Sequence, residues 1–168
     1  EFAPFLNIMN EWYIRDCSRK ITTVLHARGM EGKHTTNHAI YGYRKDPADK
    51  NHWLIDEDAA QVVRRIFRLT IEGNGPYQIA RVLTEEKVER PSYYLAQHGM
   101  GNHLSDYNAA EPYAWRGTTV SGILSKPEYM GNTVNFRTYK ESYKDKRPQK
   151  TPKEDWVVFE NTQEPVVD

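Results

Sequence analysis

The sequence predicts an α+β protein that is mainly helical, with a long N-terminal helix followed by a compact helical domain that closes with a β-hairpin. Three observations predict this class. Apolar residues recur every three or four positions from about residue 5 to residue 28, which is the period of one helix face. Two more stretches with this period begin after Asp56 and at Pro76. Residues 131–139 and 155–159 have the alternation of paired strands.

Length and composition predict either one domain with its own core or a small domain that carries an appended helix. Of its 168 residues, 27% are charged and 38% are hydrophobic, which is typical of a polar globular protein and argues against extended disorder. No run approaches the roughly 18 apolar residues of a membrane helix. The first residues also lack the basic start and the cleavage site of a signal peptide. We therefore expect no membrane association.

Cysteine and histidine usage predicts neither a disulfide nor a metal site. Cys17 is the single cysteine, so no disulfide and no zinc ribbon can form within the chain, and a reducing, cytoplasmic setting is expected. His98 and His103 have a spacing that a metal could use, with Asp106 nearby. Surface histidines are the preferred interpretation, and no metal is expected.

The first helix is predicted over about residues 5–28, with Leu6, Met9, Tyr13 and Ile21 on one stripe. A helix of about 24 residues is about 36 Å long, which is too long for so small a domain. Part of it is therefore expected to project, with its stripe available to a partner. The alternative is an ordinary amphipathic helix packed on its own domain.

Residues 29–38 are rich in Gly, Thr, Asn and His and predict a linker. The predicted domains are therefore residues 1–38, a helix end with its linker, and residues 39–168, a compact domain. In the compact domain, Asp56 is a suitable N-cap and Gly73 a suitable end for one helix. A second helix starts at Pro76, and a third spans about residues 118–125.

Three short helices followed by a hairpin have the layout of a winged helix. The helix that contains Ile79 and the one that begins at Thr118 would form its helix-turn-helix pair, with an enlarged turn. Residues 91–112 between them show no clear period. Trp115 and Tyr129 flank the third helix and are predicted to be core residues rather than base-stacking platforms.

The net charge is zero, with 23 basic and 23 acidic residues, whereas a DNA-binding domain usually has a basic excess. The charges are nevertheless segregated. Residues 15–45 hold seven Lys or Arg against two acids, and residues 116–150 hold eight against three. Two basic segments of this kind are able to form one cationic face, with the acidic segments pointing away.

The third helix has the polar side chains that a helix needs to enter the DNA major groove. An arginine can bind guanine bidentately, while Thr and Ser can reach a base, a phosphate or a thymine methyl group. The candidates are Arg116, Thr118, Thr119, Ser121 and Lys126. The alternative is that these hydroxyls only cap and solubilise a short helix. Candidates for sequence-independent phosphate contacts from the hairpin and its loop are Arg137, Lys140 and Lys144.

Four short signatures occur in order along the chain. They are Tyr41-Gly42-Tyr43-Arg44, Ala59-Ala60-x-Val62-Val63-x-x-Ile66-Phe67, Ile79-Ala80-x-x-Leu83 and Trp115-x5-Ser121-x-Ile123-Leu124-x-x-Pro127-x-Tyr129-x-Gly131. Together they resemble the recombinase DNA-binding domain of the large serine recombinases, which include integrases and transposon resolvases. Residues 10–21 are similar to the long helix that joins the catalytic and DNA-binding domains of that family.

The resemblance implies a DNA-binding fragment of a site-specific recombinase, with double-stranded DNA as its partner. Cations of the helix end, the linker and the domain start would contribute to DNA contact: Arg19, Lys20, Arg28, Lys33, Arg44 and Lys45. In that family the nucleophilic serine lies in a preceding domain, and no serine of this chain sits in its motif. We therefore expect no catalytic residue and no cofactor here. A zinc-bearing domain is expected to follow in the parent protein.

The resemblance also implies that the full-length protein assembles as a dimer to a tetramer on DNA, and that this fragment alone is monomeric. Two alternatives from other classes stay open at this point. One is a winged-helix transcription regulator that dimerises through its first helix and binds a palindrome. The other is a protein-interaction module whose basic loop binds an acidic partner, which predicts no salt-dependent affinity for duplex DNA.

Overall fold

The computed structural model describes residues 2–101 and 107–167. The chain divides into two units. The hairpin unit comprises Glu1–Thr35 and Thr133–Phe159, and the helical unit comprises Thr36–Asn132 and Glu160–Asp168. In chain order the elements are α1 (Ala3–Met30), β1 (Tyr43–Lys45), β2 (Trp53–Ile55), α2 (Glu57–Ile71), α3 (Pro76–Glu85), α4 (Pro91–Gln97), α5 (Gly117–Leu124), β3 (Thr133–Asn135), β4 (Thr138–Tyr139), β5 (Gln149–Lys150) and β6 (Val157–Phe159).

These elements confirm the α+β, mainly helical class. Within the described residues, no helix has both the length and the apolar character needed to cross a membrane.

Helix α1 is the longest element of the hairpin unit. Its 28 residues extend for about 42 Å, and Gly29 is its one buried residue. Apolar side chains are exposed along most of its length, including Phe5 at 62%, Trp12 at 60% and Tyr13 at 64%. The exposed apolar surface of α1 is therefore wider than the single stripe that was expected, because Phe5 and Trp12 lie outside that stripe. The alternative of a helix that buries its stripe in its own domain is not what the structure shows.

The C-terminal end of α1 is fastened to the strands of the same unit. Strands β3 and β6 are antiparallel, with Val134 opposite Val158, which confirms the predicted pairing. The Asn135 side chain donates from Nδ2 to the carbonyl oxygens of Gly29 at 3.1 Å and Lys33 at 2.9 Å. The first bond supplies a partner for a carbonyl group in the last turn of α1, where carbonyl groups have no partner within the helix. The second bond fixes the segment that follows the helix.

A second strand pair interrupts the basic loop between β3 and β6. Strands β4 and β5 are antiparallel, with Tyr139 opposite Gln149. This pair was not predicted, because two-residue strands among lysines carry no detectable alternation.

The helical unit is built on α2, α3 and α5, which match the three predicted helices. Its core contains Tyr43, Val63, Ile66, Leu83 and Tyr129, all of which are at most 1% exposed. Trp115 is 7% exposed, so the assignment of Trp115 and Tyr129 to the core is confirmed. Strands β1 and β2 form an antiparallel pair beside these helices, with Tyr43 opposite Ile55.

Helix α4 is the main departure from the predicted order of elements in the helical unit. It begins at Pro91, and no residue of this seven-residue helix is fully buried, so it lacks the apolar period that reveals longer helices. The Tyr94 hydroxyl donates to both carboxylate oxygens of Asp56 at 3.0 Å. Asp56 does occupy the N-cap position of α2, but its side chain makes no capping bond. Burial, together with the Asp56 carboxylate, raises the pKa of Tyr94.

Candidate nucleic-acid interface

Helix α5 separates a packed side from a polar side. Val120 and Ile123 are buried, while Arg116, Thr118 and Ser121 are exposed. Arg116 occupies the N-cap position, so its side chain lies at the end where backbone N–H groups are not bonded within the helix. The structure thus exposes the side chains at the helix start that sequence reasoning assigned to DNA.

A groove with a volume of about 1010 Å³ runs along α5 within the helical unit. We call it the α5 groove. Three cations line it, Arg90, Arg116 and Lys126, together with the hydroxyl-bearing Thr118 and Thr119. Within the part of the chain that is described, none of its lining residues is Asp or Glu. In a chain of zero net charge, this segregation creates a locally positive surface suited to an anionic ligand.

Buried aromatic residues hold α5 at both ends. Before the helix, Trp115 Nε1 donates to the Val88 carbonyl oxygen at 2.9 Å. After it, the Tyr129 hydroxyl donates to the Tyr41 carbonyl oxygen at 2.7 Å. Burial raises the pKa of Tyr129, which keeps the hydroxyl a donor to well above neutral pH. These anchors keep the polar side of α5 in a fixed position.

The hairpin unit has a smaller basic groove of about 540 Å³ between α1 and residues 140–144. We call it the α1 groove. Arg15, Arg19, Lys140 and Lys144 line it, with Glu141 as the acidic residue on its wall. It brings Arg19 of the helix close to two cations of the basic loop that sequence analysis selected.

An ion pair bridges the two walls of the α1 groove. Lys144 Nζ lies 2.6 Å from Glu11 Oε1, and the Tyr143 hydroxyl donates to the same oxygen at 3.3 Å. The hydrogen bond from Lys144 is the main reason that the pKa of Glu11 is lowered. The same bond raises the pKa of Lys144. Lys144 therefore has a carboxylate partner within the protein, and it would have to exchange this partner in order to bind a phosphate.

Replacement of Lys144 by Met should return the pKa of Glu11 towards that of an unpaired glutamate. Because the folded pKa of Glu11 is lowered, the pair favours the folded chain above the usual glutamate pKa and loses this effect as pH falls through the lowered value. Titration of the Glu11 carboxyl carbon by NMR measures the change. Lys146→Met, at an exposed position in the same loop, is the control. An unchanged Glu11 titration in Lys144→Met would show that the bridge is absent in solution.

The other predicted contact residues lie outside both grooves. Lys20 pairs with Asp16 at 2.7 Å, and Lys33 pairs with Glu31 at 2.6 Å. Arg137 lies 4.7 Å from the ring centre of Trp156, in cation–π geometry. The remaining predicted residues are distributed as follows: Arg28 in the last turn of α1, Arg44 and Lys45 on β1, and Ser121 on the exposed side of α5.

One cation of the α5 groove was not predicted from the sequence. Arg90 precedes α4, in a stretch without apolar period, and only the folded chain brings it beside Arg116. No sequence signal identifies it, because its neighbour in the groove is distant along the chain. His103 and Asp106 lie outside the described residues. Within residues 2–101 and 107–167, no group of three or more His, Cys, Asp or Glu side chains is placed to hold a metal ion.

A polar helix start beside a groove that is lined by cations, and by no acidic side chain among the described residues, is typical of a nucleic-acid-binding domain. A family model described as Recombinase matches residues 57–168, from α2 to the end of the chain. The chain therefore belongs to the recombinase family, which confirms the family resemblance and links the protein to site-specific DNA recombination. No curated protein and no solved structure matches the chain.

Proposed function

We propose that this chain is the DNA-binding part of a serine site-specific recombinase, and that it recognises attachment-site or element-end DNA for strand exchange by the full-length protein. The observation that carries the proposal is the α5 surface. Exposed Arg116, Thr118 and Ser121 stand at a helix that buries its opposite side. The adjacent groove is lined by cations and, as far as the chain is described, by no carboxylate. Membership of the recombinase family supplies the biological context.

Helix α5 would enter the major groove with its N-terminal end leading. Inside the major groove, the Arg116 guanidinium could donate two hydrogen bonds to the two acceptors of a guanine. The Thr118 and Ser121 hydroxyls could form a hydrogen bond with a base edge or with a nearby phosphate. Thr119, which is half-buried, and Lys126 would complete this contact surface. The base contacts would specify the sequence, while phosphate contacts elsewhere would set the position of the protein on the duplex.

The hairpin unit would supply phosphate contacts that do not depend on sequence. Lys140 is exposed and lines the α1 groove together with Arg19. Lys144 would contribute after exchanging its carboxylate partner for a phosphate. The other residues assigned to DNA contact are Lys20, Arg28, Lys33 and Arg137 of the hairpin unit and Arg44 and Lys45 of the helical unit. Each neutralised phosphate releases counterions, so this binding is expected to weaken steeply with salt.

The same proposal covers the organisation of the protein. Residues 1–38 would be the end of the helix that joins the catalytic and DNA-binding domains, in keeping with the length and exposure of α1. Residues 39–168 would be the recombinase DNA-binding domain, with α3 and α5 as the helix-turn-helix pair of a winged-helix-like fold. The packing of α3 against α5 supports that pairing.

We assign no catalytic residue, metal or cofactor to this chain, and we place the parent protein in the cytoplasm. The fragment alone would be monomeric and would not cut DNA, whereas the full-length protein would act as a dimer to a tetramer on DNA.

Replacement of Arg116 by Ala should weaken binding to the cognate site more than binding to random duplex. A good bidentate contact with a base discriminates by about 1–3 kcal/mol, and this preference is lost with the guanidinium. Lys140→Ala should weaken binding to both duplexes alike, because a phosphate contact carries no sequence information. The cognate site is first obtained by selection from random duplexes, and affinities are then measured for both variants at several salt concentrations.

The measurement also separates the proposal from the alternative of a protein-interaction module. Equal losses on cognate and random DNA for Arg116→Ala would remove the base-reading role of α5. Absence of any salt-dependent duplex affinity in the unsubstituted chain would contradict DNA binding altogether and would favour a protein-interaction module.

A further inference from the structure

We propose that Arg90 binds a backbone phosphate of a duplex held in the α5 groove, so that the segment just before α4 is part of the DNA interface. The inference rests on the DNA-binding function proposed above and adds a ligand site to it. Sequence reasoning left residues 91–112 without a role.

The backbone and side chain of Arg90 are held in place by hydrogen bonds within the helical unit. Its backbone N–H donates to the Pro112 carbonyl oxygen at 2.9 Å, and its carbonyl oxygen accepts from the Tyr94 N–H at 3.0 Å. Its side chain donates from Nη2 to the Asn108 carbonyl oxygen at 2.9 Å. A guanidinium fixed in this way loses little conformational entropy when it binds a ligand.

Part of the donor capacity of Arg90 is unused. Its Nε is buried and has no hydrogen-bond partner in the described structure. A buried donor without a partner is costly, particularly on a charged group. A phosphate has several acceptor oxygens that match the planar fork of a guanidinium. Arg90 lines the α5 groove, so a phosphate bound there would accept hydrogen bonds from its guanidinium.

Charge pairing distinguishes Arg90 from other arginines of the helical unit. Arg64 lies 2.6 Å from Glu57, Arg65 pairs with Glu86, and Arg81 lies 3.6 Å from Glu85. Arg90 has no carboxylate partner among the described residues, and it shares its groove with two further cations. An arginine that only stabilises the fold is usually paired with a carboxylate, whereas Arg90 shares a groove with cations and with no acidic side chain of the described residues.

A purely structural role for Arg90 remains the competing explanation, because its bond to residue 108 fastens α4 to the rest of the connection. The two explanations predict different measurements. A structural role predicts lower stability with an unchanged number of phosphates bound. A phosphate contact predicts a changed salt dependence of binding, which reports the number of neutralised phosphates.

The test measures the affinity of the whole 168-residue chain for a pool of short random-sequence DNA duplexes by fluorescence anisotropy over a range of salt. The slope of log affinity against log salt is negative, and we expect Arg90→Ala to make it less steep by about 0.9. Binding at low salt should be roughly tenfold weaker. Arg90→Lys should keep the slope and lose part of the affinity, because it retains the charge but not the fork. Arg68→Ala, at an exposed position on α2, is the matched control and should change neither.

Labelling of the unsubstituted chain keeps the inference testable if Arg90→Ala fails to fold. Phenylglyoxal modification, read by mass spectrometry, should be slowed at Arg90 by the duplex pool and unchanged at Arg68. Two results would contradict the phosphate site and leave the DNA-binding function intact. One is that the chain binds DNA but Arg90 is labelled equally with and without the duplex. The other is that Arg90→Ala keeps the salt dependence of the unsubstituted chain. If the unsubstituted chain shows no salt-dependent binding, the proposed function and this inference both fall.

Discussion

Tyr129→Ala should lower the free energy of unfolding by about 3–5 kcal/mol, the range for large aromatic residues removed from a core. Tyr129 is 1% exposed, its ring is stacked on Tyr43 at 6.2 Å between centroids, and its edge-on neighbour is Phe67 at 6.1 Å. The substitution removes this contact area and leaves a cavity that the surrounding aromatic rings cannot fill without moving. Urea denaturation followed by tryptophan fluorescence measures the loss.

Tyr129→Phe separates the ring from the hydroxyl. The ring contacts are retained, but the Tyr41 carbonyl oxygen loses the donor that lies 2.7 Å away. A buried acceptor without a partner costs about 1–3 kcal/mol, so Tyr129→Phe should be less destabilising than Tyr129→Ala. If the two substitutions cost the same, the hydroxyl rather than the ring would be the main anchor of this segment. If neither had an effect, the placement of Tyr129 at the centre of the helical unit would be wrong.

Gly131→Ala should destabilise the helical unit by roughly 3 kcal/mol, through backbone strain and a steric clash. Gly131 has a φ of +87°, a conformation that residues with a Cβ rarely adopt. An added Cβ would also lie 2.7 Å from the Gln163 carbonyl oxygen. That atom belongs to the backbone, so a side-chain rotation cannot relieve the clash. The Gly131 carbonyl oxygen further accepts from the N–H of Thr162 at 2.9 Å, so movement here would also disturb the pairing with residues 160–167.

Gly122→Ala is the matched control for Gly131→Ala. Gly122 lies inside α5, and nothing lies within 4 Å of a Cβ added there. Alanine is favoured over glycine inside a helix by about 0.8–1 kcal/mol, so this variant should be slightly more stable than the unsubstituted chain. Thermal unfolding followed by circular dichroism measures both variants. Similar shifts in the two would mean that the conformation of Gly131 does not matter to stability.

The helices of the helical unit were predictable because their signals are local. The apolar period of α2, the Gly75-Pro76 start of α3 and the block to helix extension at Pro127 act within a few residues of the elements they define. Helix α4 was missed because a short helix with no fully buried residue leaves no period. Strand β4 lies within the stretch 131–139 that was predicted as a strand, but β5 and its pairing with β4 were missed, because two residues are too few to alternate.

The residues of the candidate site also divide into those that local sequence patterns predicted and those that they did not. Arg116, Thr118 and Ser121 were predictable because a single short helix sets their spacing, and α5 does expose them. Lys144 was predicted as a candidate phosphate contact, and no local pattern indicated that Glu11, far away along the chain, pairs with it. Arg90 was not selected at all, although it lies on the same groove as Arg116. Both differences come from contacts between residues that are distant along the chain.

By itself, the sequence determined the class of the fold, the order of the main helices, the buried aromatic residues around α5 and the family, because each depends on short-range patterns of polarity and glycine or proline placement. The tertiary structure alone decided which cations share a groove, which of them are paired with carboxylates, and that the α5 groove is free of acidic side chains among the described residues. Electrostatic interactions depend on distance in space, and only packing brings residues 36–41, Arg90 and α5 together around one groove.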